Sequence, residues 1–263
     1  MLAFVHNHQM KISTISDIHV TKEKNYDYLL SFMNHKSVLD SDLIIFLGDI
    51  FDLMVGNHQE YIDEFEEFFL QLEKLLRKGK KVIFFEGNHD FHLKGLFNFF
   101  LDNRKLEKSS FEYIKGGKPL RVKDKGYYFS HGDDIEIGNY YYKIYKLLIR
   151  NRFLSFLSDN FFTYSFIKDL GRKISDDSRK RNHKYDSETF LDRIKTKYRV
   201  SVERFFQKKL KKMDVDFVVC GHSHVEEFYE SEKGFFYLNN GFIPKSKKFL
   251  HIDNNKPQFL PLV

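Results

Sequence analysis

Hydrophobic positions along the chain fall into short runs that stop on a glycine or an acid. The run Leu43-Ile44-Ile45-Phe46-Leu47 ends in Gly48-Asp49, the pattern of a buried strand that delivers a carboxylate at its end. Residues 11–16 alternate and carry β-branched side chains, which predicts a first strand ending at Asp17. A helix is expected across residues 26–38. Between Gln59 and Lys78, the residues Tyr61, Phe65, Phe68, Phe69, Leu72, Leu75 and Leu76 recur at three- and four-residue spacing, with acids early and bases late. That spacing predicts a helix, which Gly79 ends. Lys81-Val82-Ile83-Phe84-Phe85-Glu86 is then a third strand leading into Gly87-Asn88-His89-Asp90.

Strand, helix, strand, helix, strand is the rhythm of a parallel sheet with right-handed crossovers, and such α/β sheets place ligands at the carboxyl ends of their strands. From residue 111 the pattern changes to short strands separated by Gly116-Gly117 and Lys125-Gly126, ending in Tyr127-Tyr128-Phe129-Ser130 before His131. Residues 139–212 read as consecutive helices rich in Tyr, Phe, Lys and Arg, a helical insertion or cap on a single α/β domain. A strand over residues 216–220 and short strands near 225–230, 234–238 and 247–253 follow. No internal repeat or low-complexity linker interrupts the chain.

At 263 residues the chain is long enough for one full core with an insertion. A formal charge of +6 favours anionic partners without choosing among them. The single cysteine, Cys220, cannot form an internal disulfide, and its place in Phe217-Val218-Val219-Cys220 marks it as a small buried hydrophobe. The first eight residues lack the basic and apolar regions of a signal peptide, and no window approaches the ~18 apolar residues of a membrane span. A cytoplasmic protein is expected, with attachment to a membrane surface open.

Five segments place metal-ligand residue types where a hydrophobic run ends: Asp17-Ile18-His19, Gly48-Asp49, Gly87-Asn88-His89-Asp90, His131-Gly132-Asp133 and Gly221-His222-Ser223-His224. They hold five of the 12 histidines. In an extended segment residues i and i+2 point the same way, so Asp17 with His19, and His222 with His224, can each offer two ligands to one site. Any one such segment occurs by chance, and a lone buried histidine is more often a hydrogen-bonded core residue. Five in one chain point to a metal centre instead. Carboxylates, imidazoles and an Asn carbonyl suit Mn²⁺, Fe²⁺ or Zn²⁺ rather than Ca²⁺ or Mg²⁺. Seven ligand residues are too many for one ion and suit two ions sharing a carboxylate, ~3.5–4 Å apart.

In this order, Asp17-x-His19, Gly48-Asp49-x-x-Asp52, Gly87-Asn88-His89-Asp90, His131 and Gly221-His222-x-His224 resemble the calcineurin-like metallophosphoesterases across nearly the whole chain. The resemblance implies a four-layer sandwich of two mixed β-sheets flanked by helices. It implies that Asp17, His19 and His224 bind one divalent transition-metal ion and that Asn88, His131 and His222 bind another, with Asp49 bridging. Mn²⁺ is the first expectation, Fe or Zn the alternatives. His89 is then expected to face the substrate phosphate and serve in catalysis, and Asp52 and Asp90 to orient ligand histidines from outside.

Within that superfamily the organisation is similar to the UDP-2,3-diacylglucosamine diphosphatases of lipid A synthesis. The likeness lies in the His131-Gly132-Asp133 opening of the insertion, Tyr142 eleven residues after the histidine, and Arg172 with Ser175 followed by Arg179 and Lys184. It implies a lipid-linked UDP-sugar substrate held by Asn88, His89, Tyr142, Arg172, Ser175, Arg179 and Lys184, cleaved to UMP and a diacylated sugar phosphate. It also implies peripheral contact with the cytoplasmic face of the inner membrane and no nucleic-acid partner. One departure is clear: the better-known members carry arginine where this chain has His89. Two other readings stand beside this one: a phosphodiesterase or phosphatase acting on nucleotides, nucleic acid or phosphoprotein, and a scaffold that keeps the fold without catalysis. The aromatics of the insertion either pack its helices or line an acyl pocket.

Overall fold

In the computed structural model, residues 10–136, 162–169 and 188–262 are described. Four strands carry the predicted rhythm. These are β1 (Ile12–Ile15), β2 (Leu43–Phe46), β4 (Lys81–Phe85) and β6 (Phe111–Ile114), paired in parallel in that order. Two antiparallel strands, β12 (Lys248–Asp253) and β13 (Lys256–Pro261), complete a six-stranded sheet on the far side of β1. A second sheet holds five strands in the order β10 (Glu226–Ser231), β11 (Phe235–Asn240), β9 (Phe217–Cys220), β8 (Lys125–Phe129) and β7 (Lys118–Val122). Its central strands β8, β9 and β11 are also parallel. A small parallel pair, β3 (Met54–Val55) with β5 (Asp90–Phe91), stands apart from both.

Alternation along each strand sorts the side chains into layers. Ile45 and Leu47 join Ile12, Phe129, Val219 and Leu238 in a core between the two sheets. Ile44 and Phe46 face the other way, onto α1 (Tyr26–Asn34), α4 (Glu66–Arg77) and α5 (Lys94–Asn103). The outer face of the second sheet is covered by α6 (Glu188–Phe205), through Val202 and Phe205 against Val218 and Tyr237. Helix, sheet, sheet, helix is the resulting order, and a strand buried on both faces accounts for the unbroken apolar runs.

Two expected helices are interrupted. The helix across 26–38 breaks at His35, which is extended and accepts the Ser37 N–H at 3.1 Å, so that it caps α2 (Lys36–Leu39). The helix from Gln59 to Lys78 breaks at Phe65 into α3 (Glu60–Glu64) and α4, where the Phe65 ring packs on Tyr26 and Phe51. Of the insertion expected at 139–212, residues 164–169 and 188–210 are helical. Residues 164–169 dock on α3 through Tyr164 and Lys168, which both bond Glu64. α6 runs on into a π-helical turn over Phe206–Leu210. Cys220 is buried and free.

Candidate metal centre

Parallel strands of both sheets end at the same place. Asp17 and His19 follow β1, Asp49 follows β2, Asn88 and His89 follow β4, His131 follows β8, and His222 and His224 follow β9. The chain must turn sharply after each strand, and five of these residues do so in the left-handed region: Asp17, His19, Asp49, His222 and His224, with φ between 51° and 66°. Such conformations cost on the order of 1–3 kcal/mol each and persist only where the surroundings impose them. Here the loops are tied to one another. The Ile18 and His19 N–H groups donate to the Asp49 carbonyl at 3.0 and 3.1 Å, the Gly221 N–H to the His131 carbonyl at 2.9 Å, and the His222 N–H to the Asp17 carboxylate at 3.0 Å. Two glycines make this approach feasible. A Cβ on Gly87 would lie 2.2 Å from the Asp49 nitrogen, and one on Gly221 would lie 2.2 Å from the Asp17 carboxylate.

Seven side chains converge as two donor sets. In the first, His19 Nε2 is 3.3 Å from His224 Nε2, which is 3.4 Å from Asp17 Oδ1, and Asp49 Oδ2 is 3.8 Å from His19 Nε2. In the second, Asn88 Oδ1 lies 3.0 Å from both His131 Nε2 and His222 Nδ1, and the same Asp49 Oδ2 is 3.5 Å from His131 Nε2. Two donors about 2.1 Å from one ion are separated by about 3.0 Å in octahedral and about 3.4 Å in tetrahedral coordination, close to all of these separations except the 3.8 Å between Asp49 and His19. Asp49 Oδ1 is occupied by the His89 N–H at 2.9 Å, which leaves Oδ2 as the atom common to the two sets.

The other ring nitrogens are held from outside. His131 Nδ1–H donates to the Leu47 carbonyl at 2.8 Å, turning Nε2 inward. His19 Nδ1 is 3.7 Å from Asp52 Oδ1. His222 Nε2 is 3.4 Å from Glu136 Oε2, and Glu136 also pairs with Lys197. Sequence reasoning missed Glu136. Its only signal was an acid five residues after His131, in a run that already held Asp133 and Asp134. Asp90 differs from its expected role, because among the described residues its hydrogen-bond partners are backbone N–H groups and not histidines. Its carboxylate accepts the N–H groups of Asp49, Ile50, Phe51 and Gly87, between 2.7 and 3.3 Å, and so braces the backbone of two ligand loops. His89 Nδ1–H donates to the Asp52 carbonyl at 2.7 Å, and its ring meets that of His19 edge-on at 4.6 Å.

Electrostatics favour added positive charge. Burial would raise the Asp17 and Asp49 carboxyls, yet the His224 partner of Asp17 and the His131 and His89 charges near Asp49 hold both below the usual range. Burial would lower His131, yet the Asp49 charge carries it up to about 10, and His224 rises beside Asp17 for the same reason. Burial and the neighbouring imidazoles lower His19. The buried carboxylates thus draw protons onto imidazoles, the role a divalent cation would take over, and the donor set fits such ions. Burial and the Asp49 charge push Asp90 up to about 8, against the N–H groups that favour its ionised form.

Tyr142, Arg172, Ser175, Arg179 and Lys184 lie outside the described residues. Among the described residues, α6 presents Thr189, Asp192, Arg193, Thr196 and Lys197 along an open groove of about 610 Å³.

A model of the calcineurin-like phosphoesterase family matches residues 10–226. No curated protein matches the chain. Among solved structures, an archaeal phosphodiesterase is 14% identical with a TM-score of 0.45, covering 95% of this chain and 99% of its own. Vacuolar protein sorting 29 from Cryptosporidium parvum is 12% identical with a TM-score of 0.45, covering 97% of each chain. A predicted phosphoesterase from Streptococcus pneumoniae is 12% identical with a TM-score of 0.41, covering 98% of this chain and 92% of its own.

Proposed function

Because the chain belongs to the calcineurin-like phosphoesterase family, we propose that it hydrolyses a phosphoester or phosphoric anhydride with two divalent metal ions. The observation that carries this reading is Asp49, whose Oδ1 is pinned by the His89 N–H while its Oδ2 faces both donor sets. Asp17, His19 and His224 would hold one ion and Asn88, His131 and His222 the other, with Asp49 common to both donor sets. Divalent ions held there would supply a water of lowered pKa and charge neutralisation for phosphoryl oxygens. The chain then needs no side-chain nucleophile. Its own contribution is placement: Asp52 fixes the His19 ring, Glu136 that of His222, and the Leu47 carbonyl that of His131. With Nδ1–H committed to the Asp52 carbonyl, His89 turns Nε2 toward substrate, where it stabilises or protonates the leaving oxygen. Metal-stripped protein reloaded with Mn²⁺ should contain two ions and cleave bis(p-nitrophenyl) phosphate. Asp49→Ala should disturb both ions, and full activity or full metal content in that variant would overturn the bridging role.

For the substrate we propose UDP-2,3-diacylglucosamine, with manganese as the metal and the inner membrane surface as the place of work. Support comes from the order His131-Gly132-Asp133, Tyr142, Arg172 and Ser175 in the insertion, and from its described helix α6, which borders the metal centre. No described helix is long and apolar enough to cross a membrane. An acyl-binding cap would draw up to ~0.8 kcal/mol of binding from each buried methylene. UDP-2,3-diacylglucosamine should therefore exceed UDP-N-acetylglucosamine in kcat/KM by orders of magnitude at one salt concentration. Equal rates on the two would reject the acyl pocket and leave a general phosphodiesterase.

A further inference from the structure

Glu136 stands between the second donor set and the insertion. The turn that places it is closed by the Ile135 N–H donating to the Gly132 carbonyl at 3.1 Å, and Ile135 is sunk among Val202 and Phe205 of α6 and Val218 of β9. Glu136 is thereby 7% exposed, with Oε2 3.4 Å from His222 Nε2 and Oε1 paired with Lys197. On the opposite side of the same imidazole, Nδ1 faces Asn88 Oδ1 at 3.0 Å. Lys197, half-exposed, is at the same time one wall of the open groove along α6, next to Arg193 and Thr196. Tyr198 fills the neighbouring space, its ring 6.3 Å from that of His222.

A carboxylate on the far nitrogen of a ligand imidazole fixes its rotation and tautomer, and losing such a partner costs typically 10–100-fold in metal affinity. Resting on the two-metal reading above, we propose that Glu136 is the positioning residue of His222 and that Lys197 holds Glu136 in place, so that α6 of the insertion sets the affinity of the second metal position. Among the described residues, the bonds of Glu136 and Lys197 run to His222 and to each other, whereas the first position has Asp52 beside His19.

Calorimetric titration of Mn²⁺ into the metal-stripped full chain tests the relay without recourse to activity. Glu136→Gln, which keeps the shape and removes the charge, should weaken one of two ions by about 10–100-fold and leave the other at wild-type affinity. Lys197→Met should shift the same ion in the same direction by less, and Lys197→Arg should restore it. Melting in chelator, which reads the fold alone, should be nearly the same for all four proteins. Wild-type affinity for both ions in Glu136→Gln, or equal weakening of both, would overturn the relay. Uptake of a single ion by the wild-type chain would instead overturn the two-metal reading, and the relay with it.

Discussion

Gly87 carries no functional group, yet its replacement by alanine should damage the metal centre as surely as loss of a ligand. An added Cβ would sit 2.2 Å from the Asp49 nitrogen, 2.3 Å from Asp49 Oδ1 and 2.5 Å from Asp90 Oδ1. Comfortable contacts need about 3.5 Å, so the loops must part by about 1.3 Å. Nothing nearby can give way cheaply, because the Asp49 N–H is bonded to Asp90 and Asp49 follows directly on the Gly48 turn after β2. Overpacking of this kind costs about 1–3 kcal/mol, and more where backbone is in the way. At the upper figure, and at about 2–4 °C per kcal/mol for a chain of this size, the melting temperature should fall by about 6–12 °C. Displacing the shared carboxylate by about 1 Å should lower kcat by about 10²-fold or more. Gly79→Ala is the control: its φ of +75° strains any side chain, but nothing lies within 4 Å of the added carbon. That variant should lose about 1 kcal/mol and keep its full metal content. Calorimetric melting and elemental analysis of the two variants decide the matter. A Gly87→Ala protein that melts and binds metal like wild type would refute the packing argument.

His89→Ala should lower kcat by ~10²–10⁴ with metal content intact, since its Nδ1–H is spent on the Asp52 carbonyl and the proposed function gives it a part in stabilising the leaving oxygen. Loss of an ion would move His89 among the ligands. His251 is buried with Nδ1 2.9 Å from Ser13 Oγ, and burial lowers its pKa below 6.5. The unfolded chain therefore binds its proton more readily, so its contribution to stability is complete above pH 6.5 and is lost as pH falls through the folded value. Melting of wild type and His251→Gln between about pH 5 and pH 8 should show the steeper acid decline in wild type, and parallel curves would exclude this source.

The centre of the fold was legible because burial on both faces leaves a plain trace: runs such as Leu43–Phe46 and Phe217–Cys220 admit few other readings. The seven convergent side chains were legible for a related reason, each following such a run. What could not be read had weaker local causes. Strand β13 contains Pro257 and Pro261, which argue against a strand unless it lies at a sheet edge, and only the assembled sheet shows that it does. The break at Phe65 depends on Tyr26 and Phe51, contacts outside any helical window. Glu136 acquires a role only when His222, 86 residues later, is folded beside it. Asp90 shared a motif with ligand residues, but four backbone donors, invisible in a string of side chains, took its carboxylate.

The bond from the His222 N–H to the Asp17 carboxylate spans 205 residues, and β1 lies between β2 and β12, its register pairing Ile12 with Ile252. A growing polypeptide would emerge with its first ligand loop long before the partners of that loop exist. Loop closure over such a span is slow, and the strands that await it keep an open flank in the meantime. On the proposed ligand set, ion capture at Asp17 requires that synthesis has passed His224, and a product stopped before it would carry four of the five proposed ligand loops. The proposed metal position would therefore check that synthesis has reached the last of its ligand loops.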